Sequence, residues 1–181
     1  HTSSGSNIVT TVWDTDLDIS DIDANNIKIR VKLTDLVDVS SFVESDSFLL
    51  DQVSPVNLND LSVTDSSISS LEIAWEEVEE TNFDSYLMFY GTDSSSVSNE
   101  TSLSFGTTED VNLANISTIT TTVNNLNSNT TYYFKLKAID NFGNAADSNI
   151  LEAATDFDYS PAAPMNLTLL LSGEGFVNID W

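Results

Sequence analysis

The acidic run from Asp14 to Asp23 is the segment whose residue types and spacing most favour a chemical role. Calcium takes about six to eight hard oxygen ligands, and neighbouring Asp side chains can converge on one ion. The run lacks the glycine and the terminal glutamate of an EF-hand loop, and apolar residues such as Leu17 and Ile19 interrupt it. Two interpretations stay open: a calcium site, or an edge strand and turn with a solvated acidic side. The five candidate metal ligands are Asp14, Asp16, Asp18, Asp21 and Asp23.

A second oxygen-rich group consists of Asp140, Asn141, Asn144 and Asp147. Calcium could bind there too, but a hairpin turn explains the Asn-Phe-Gly-Asn sequence without any ion. No cofactor is required by either interpretation, and calcium is the one ion that these groups suggest.

Four sequons of the form Asn-x-Ser/Thr offer candidate glycosylation sites, at Asn99, Asn115, Asn129 and Asn166. The composition alone predicts about as many, so their number is no evidence of modification. We expect Asn99 to be the most accessible, because it lies in a long polar loop. Asn166 falls in a predicted strand.

Other chemistries are disfavoured by what the chain lacks. The only histidine is His1, at the chain end, so a nucleophile–His–acid triad is excluded from the rest of the chain. The six glycines form no phosphate-binding loop. Cysteine is absent, which removes disulfides and thiolate catalysis. We therefore predict no enzyme within these residues and no catalytic site.

The charge balance restricts the partners. The chain has 29 acidic and five basic residues, a net charge of −24. Nucleic acid is not expected as a partner, because phosphate binding needs clustered Lys and Arg. All basic residues lie in Lys28–Lys32 and Lys135–Lys137, where a spacing of two puts them on one face of each predicted strand. No apolar run reaches the length of a membrane span, so no membrane insertion is predicted.

Short strands separated by Asp, Asn, Ser and Gly clusters dominate the chain, which predicts an all-β fold. In the best of them, Leu71, Ile73 and Trp75 alternate with polar neighbours, as expected where one side of a sheet meets a core. The predicted strands are Ile8–Trp13, Ile27–Leu33, Ser47–Leu50, Leu58–Val63, Ser70–Trp75, Tyr86–Tyr90, Ser117–Val123, Thr131–Ile139, Ile150–Ala154 and Phe176–Trp181.

An internal repeat divides the chain. Pro55-Val-Asn-Leu58 recurs as Pro164-Met-Asn-Leu167, and each is followed by an alternating run that ends in tryptophan. The offset of 109 residues is close to the size of one β-sandwich domain, about 100 residues. We predict three pieces: residues 1–53, the C-terminal part of an Ig-like domain; 55–157, a complete domain; and 161–181, the first two strands of a third.

The central piece resembles a fibronectin type III domain. The matching features are Pro-x-Asn-Leu at Pro55, Trp75 at the end of the second strand, Tyr86–Tyr90 in the third, and Leu126-Asn-Ser-Asn-Thr-Thr-Tyr132 before the sixth. The resemblance implies an immunoglobulin-like β-sandwich, with Tyr132 in a tyrosine corner.

The pattern departs from that family in two places. Ser128 stands where the corner turn usually has proline, and Gly91–Asn115 is longer and more polar than the family needs, which predicts an extra edge strand. The first and last pieces resemble partial Ig-like or fibronectin type III-like domains. All three tryptophans, Trp13, Trp75 and Trp181, are predicted in cores.

The resemblance, the repeat, the proline linkers and the acidity together favour a structural or interaction module of an extracellular tandem-repeat protein. A surface layer, a filament or an adhesin stalk would use such a module, with neighbouring domains or copies of the same protein as its partners. The alternative is a spacer or ligand-binding module of a secreted carbohydrate-active enzyme. A polymer in which one copy's tail completes the next copy's head is also open, beside simple truncation of a longer chain.

Overall fold

The computed structural model describes residues 10–34, 36–159, 168–173 and 176–180, the last two as backbone only. Most of the regular structure is β-strand. The strands are β1 Asp23–Ile27, β2 Arg30–Val31, β3 Val43–Glu44, β4 Phe48–Asp51, β5 Ser62–Ser66, β6 Ser70–Ala74, β7 Phe83–Gly91, β8 Leu103–Phe105, β9 Thr120–Asn124, β10 Thr131–Asp140, β11 Ala145–Asp147, β12 Leu151–Ala154, β13 Thr168–Gly173 and β14 Phe176–Asp180. The helices are α1 Thr15–Asp18, α2 Ser94–Ser98 and the 3-10 turn Val111–Ala114.

Two antiparallel sheets face each other across the central sandwich, residues 55–154. One sheet has the order β5-β6-β9. The other has the order β11-β10-β7-β8, and β12 also pairs with β10. The core between them is built from residues such as Leu71 and Ile73 of β6 and Phe134 and Leu136 of β10, all fully buried. The predicted all-β, immunoglobulin-like sandwich is therefore confirmed.

The alternation in the sequence explains which side chains enter this core. In β6, Leu71 and Ile73 are buried while Glu72 and Ala74 are only half-buried. Burying a large apolar side chain contributes about 1.5–3 kcal/mol, which fixes the register of such a strand. Trp75 packs edge-on against Tyr86, with ring centroids 5.2 Å apart, as predicted for a core tryptophan.

The tyrosine corner is present. The Tyr132 hydroxyl accepts a hydrogen bond from the Asn127 backbone N–H at 3.0 Å, and Leu126 is buried beside it. Ser128 therefore serves in the corner turn without the usual proline.

The long polar segment Gly91–Asn115 contains an edge strand, β8, which pairs with β7; β8 is the fourth strand of the sandwich, since β10 is the sixth only when β8 is counted. The segment also holds two short helical turns that the sequence pattern did not predict. Their starts are marked by aspartates: Asp93 accepts from the Ser95 and Ser96 N–H groups, and Asp110 accepts from Asn112 N–H. Such caps satisfy the free N–H groups of a first turn.

The N-terminal segment, residues 10–53, differs from the prediction. Its predicted strand Ile8–Trp13 is irregular over residues 10–13, and residues 8 and 9 lie outside the described part. The predicted strand Ile27–Leu33 is divided, because β1 pairs with β4 whereas β2 pairs with β3.

The acidic run holds helix α1 and then leads into β1, so the edge strand of the second interpretation is wrong, whereas the described aspartates of the run are exposed. Trp13 is 41% exposed, and its indole N–H donates to Asp18 Oδ2 at 2.7 Å. The prediction of a core Trp13 is therefore wrong: this tryptophan is held by a polar contact at the surface.

Strands β13 and β14 pair as an antiparallel hairpin. Asn166 and Trp181 lie outside the described residues. No helix in the described part of the chain is both long enough and apolar enough to cross a membrane.

Candidate functional site: an acidic junction and an acidic groove

The junction between the N-terminal segment and the sandwich is centred on Asp51. This residue ends β4 and is 6% exposed. Asn82 Nδ2 donates to Asp51 Oδ2 at 2.7 Å, and Asn144 Nδ2 donates to the Asp51 carbonyl oxygen at 3.2 Å. Within the linker, Val53 N–H donates to Asp51 Oδ1 at 3.0 Å. The last residue of β4 is thus hydrogen-bonded to two loops of the sandwich.

A tight turn at the end of β10 prepares the sandwich side of this junction. Asp140 Oδ1 accepts from the N–H groups of Phe142 and Asn144, at 2.8 and 2.9 Å. Gly143 has a φ of 90°, a conformation that glycine adopts without a steric cost. The turn places the Asn144 side chain against Asp51.

Three carboxylates meet at the junction: Asp51, Glu80 and Asp140. One oxygen of each lies within 4.8 Å of the others, and Asp51 and Asp140 are buried. None of the ion pairs among the described residues reaches them. Asp23 and Glu79 line an adjoining cavity of about 220 Å³. These are the residues that could hold a hard divalent cation such as calcium.

The metal ligands predicted from sequence occupy other positions. Asp14, Asp18 and Asp21 are not among the converging carboxylates found in the described residues, and the Asp16 side chain lies outside the description. Of the predicted ligands whose side chains are described, only Asp23 lines the junction cavity. A calcium site at the acidic run stays a prediction.

The second predicted group is divided. Asp140 and Asn144 lie together at the junction, and Asn141 Nδ2 donates to the Asn82 carbonyl oxygen at 2.8 Å. Asp147 lies in a different cluster, described next. Sequence reasoning missed Asp51 and Glu80, because these residues come from separate loops and no local spacing connects them with Asp140.

Both lysines of the sandwich are held in one ion-pair cluster on the outer face of β10. Lys135 Nζ contacts Glu100 Oε1 at 2.8 Å and Asp147 Oδ2 at 2.6 Å, and Lys137 Nζ contacts Glu100 Oε1 at 2.6 Å. Hydrogen bonds from the two ammonium groups hold the pKa of Glu100 below its usual value. Burial alone would lower the pKa of Lys135, but its bonds to Asp147 and Glu100 raise it. The predicted shared face of these lysines is thus confirmed.

An acidic groove of about 660 Å³ runs between β9 and the segment that follows β8. Its carboxylates belong to Glu72, Glu109 and Asp110, and no basic residue lines it. Tyr90 and Phe105 contribute aromatic surface. Burial alone would raise the pKa of Asp110, but hydrogen bonds from Thr121 and Asn112 outweigh it and lower the pKa. Asp110 therefore keeps its negative charge in the groove at neutral pH.

Three of the four sequon asparagines are described, and all three are exposed: Asn99 caps the end of α2, Asn115 follows the 3-10 turn, and Asn129 lies in the turn before β10. Exposure is compatible with glycosylation at each. Glycosylation stays a prediction.

The family model described as "Fibronectin type III domain" matches residues 54–154, more than half of the chain. The FN1–FN3 domains of chicken CNTN1 are similar at 18% identity and a TM-score of 0.49, over 73% of this chain and 44% of that one. An fn3 domain of human contactin 1 is similar at 16% identity and a TM-score of 0.46, over 91% of this chain and 98% of that one.

A chitinase, ChiA74 from Bacillus thuringiensis, is similar at 21% identity and a TM-score of 0.43, over 64% of this chain and 14% of that one. No curated protein matches the sequence. None of these similarities says what this chain binds.

Proposed function

Because the chain belongs to the fibronectin type III family, we propose that it is a structural and interaction module of an extracellular tandem-repeat protein, such as a surface layer, a filament or an adhesin stalk. The observation that carries the proposal is the buried junction at Asp51. Hydrogen bonds from Asn82 and Asn144 fix the N-terminal segment to the sandwich, as suits a chain of modules that must keep its direction. An enzyme is not proposed.

Location at the cell surface is the test of this proposal. Antibodies against the chain should label intact source cells, and external protease should remove the signal. Labelling only after lysis would overturn the extracellular assignment. If instead the chain were found in a secreted protein that releases sugars from an insoluble polysaccharide, the spacer or ligand-binding function in a carbohydrate-active enzyme would replace the structural one.

Calcium at the acidic junction is part of the same proposal, supported by the convergence of Asp51, Glu80 and Asp140. A ligand at ten times its Kd stabilises the folded state by about 1.4 kcal/mol. When calcium is added back to the chelated protein, we expect its melting temperature to rise. The variant Asp140→Asn should abolish that rise.

The matched variant Asp14→Asn distinguishes the two candidate positions for calcium. If Asp14→Asn removes the response and Asp140→Asn does not, the ion belongs to the acidic run. If calcium leaves the wild-type melting temperature unchanged, neither position binds it.

A further inference from the structure

The basic hairpin, described over residues 28–34 and 36–45, carries three of the five basic residues of the chain, together with the acidic residues Asp38 and Glu44. Its strands β2 and β3 pair with Arg30 opposite Glu44 and Val31 opposite Val43. Arg30 and Lys32 both lie over the Phe42 ring, 4.7 and 5.4 Å from its centroid. All three side chains belong to exposed residues. The hairpin thus presents two cations and an aromatic ring on one face.

These cations are distinct from the rest of the basic residues. Lys135 and Lys137 are occupied by Glu100 and Asp147, and Lys28 contacts Glu44 at 3.4 Å. Among the described residues, no ion pair engages Arg30 or Lys32. They are the positive charge that this part of the chain leaves available for a partner.

The sandwich offers the complementary surface. The acidic groove combines the carboxylates of Glu72 and Glu109 with the aromatic side chains of Tyr90 and Phe105. Residues 54–154 hold 15 acidic residues and only two lysines, both already paired. A groove of about 660 Å³ has room for several side chains, within the range of about 300–1,000 Å³ typical of binding sites.

We propose that the basic hairpin of one copy binds the acidic groove of a second copy. Arg30 and Lys32 would meet Glu72 and Glu109, and Phe42 would lie against the aromatic floor. Because the two surfaces are different, the contact is head-to-tail and continues from copy to copy unless a ring closes. This inference rests on the proposed structural function and names its partner.

Sedimentation velocity on the 181-residue chain tests the contact at physiological and at high salt. We expect concentration-dependent association at physiological ionic strength, where the repulsion between copies of net charge −24 is screened beyond about 8–10 Å, and weaker association at high salt, which also screens the contact between hairpin and groove. The double variant Arg30→Glu/Lys32→Glu should weaken association by about tenfold or more, and so should Glu72→Lys/Glu109→Lys. Mixing the two variants should restore association, because each then supplies the charge that the other lacks.

The matched control Asp60→Lys/Asp84→Lys changes the net charge equally at exposed residues outside the groove, and it should not weaken association. The restoration on mixing also excludes misfolding as the cause of the loss. A strict monomer at physiological salt, or association that neither reversal weakens, overturns the proposal. A monomer would leave the cell-surface test of the proposed function unaffected, so the two can fail separately.

Discussion

The sandwich buries its large apolar side chains, whereas the N-terminal segment leaves many of its own exposed. In the sandwich, Leu71, Phe134 and Leu136 are fully buried between two sheets. In the N-terminal segment, Leu33 and Val43 are 75% and 72% exposed, and the strands there pair only two at a time. An isolated two-stranded hairpin is at best marginally stable in water. The sandwich therefore carries its own stability, while the N-terminal segment depends on what it contacts.

The largest expected effect tests this contrast directly with two leucines. Leu136→Ala should reduce the free energy of unfolding by about 2–5 kcal/mol, because it opens a cavity in a closed core. Leu33→Ala should change it by less than about 0.5 kcal/mol. Chemical denaturation of both variants measures the difference. Comparable losses at the two positions would show that the N-terminal segment has a core of its own.

A smaller effect is expected at the junction that joins the two regions. Asn82→Ala leaves the buried Asp51 carboxylate without its 2.7 Å donor, which should cost about 1–3 kcal/mol. The linker at Val53 should then become more sensitive to protease. Asn59→Ala removes an exposed bond to Glu76 and serves as the control, with little change expected. Equal sensitivity in the two variants would mean that Asp51 does not fix the linker.

The smallest effect contrasts two ion pairs. Glu100→Gln should lower the free energy of unfolding by about 1–2 kcal/mol, because Glu100 joins two lysines whose side chains are mostly buried. Glu44→Gln, in the exposed pair with Lys28, should lower it by less than about 1 kcal/mol. Urea denaturation at neutral pH measures both. A larger loss for Glu44→Gln would reverse the ranking of the two regions.

The Glu100 cluster also predicts a pH window. The lowered pKa of Glu100 means that its contribution is complete above the usual value of 4.5 and is lost as pH falls through the folded-state pKa. The raised pKa of Lys135 means that its contribution is complete below 10.5 and is lost as pH rises through the folded-state pKa. The free energy of unfolding should therefore fall less steeply at acidic and at alkaline pH in Glu100→Gln than in the wild type. An unchanged profile would contradict the assignment.

The same contrast explains what could be predicted from the sequence. In β6 and β10, burial on one face imposes a period of two, so these strands and the corner at Tyr132 could be identified from pattern alone. In the N-terminal segment burial is weaker. The division of the predicted strand at Ile27 depends on pairings with β4 and β3, and the surface position of Trp13 on a side-chain hydrogen bond to Asp18; neither shows in the local pattern. The junction carboxylates could not be found either, because Asp51, Glu80 and Asp140 converge only in the folded chain.

The two ends of the sandwich give it a mechanical direction. The chain enters beside Asn82 and Asn144 and leaves at the opposite pole, where Asp156 N–H bonds to Ser67 and the Asp156 carbonyl accepts from Asn129 N–H. Tension applied along a longer chain would thus run parallel to the strands. The hydrogen bonds between β12 and β10 lie across that direction, so tension would load them in shear. Because all of these bonds would be loaded together, they would have to break together before the strands could separate.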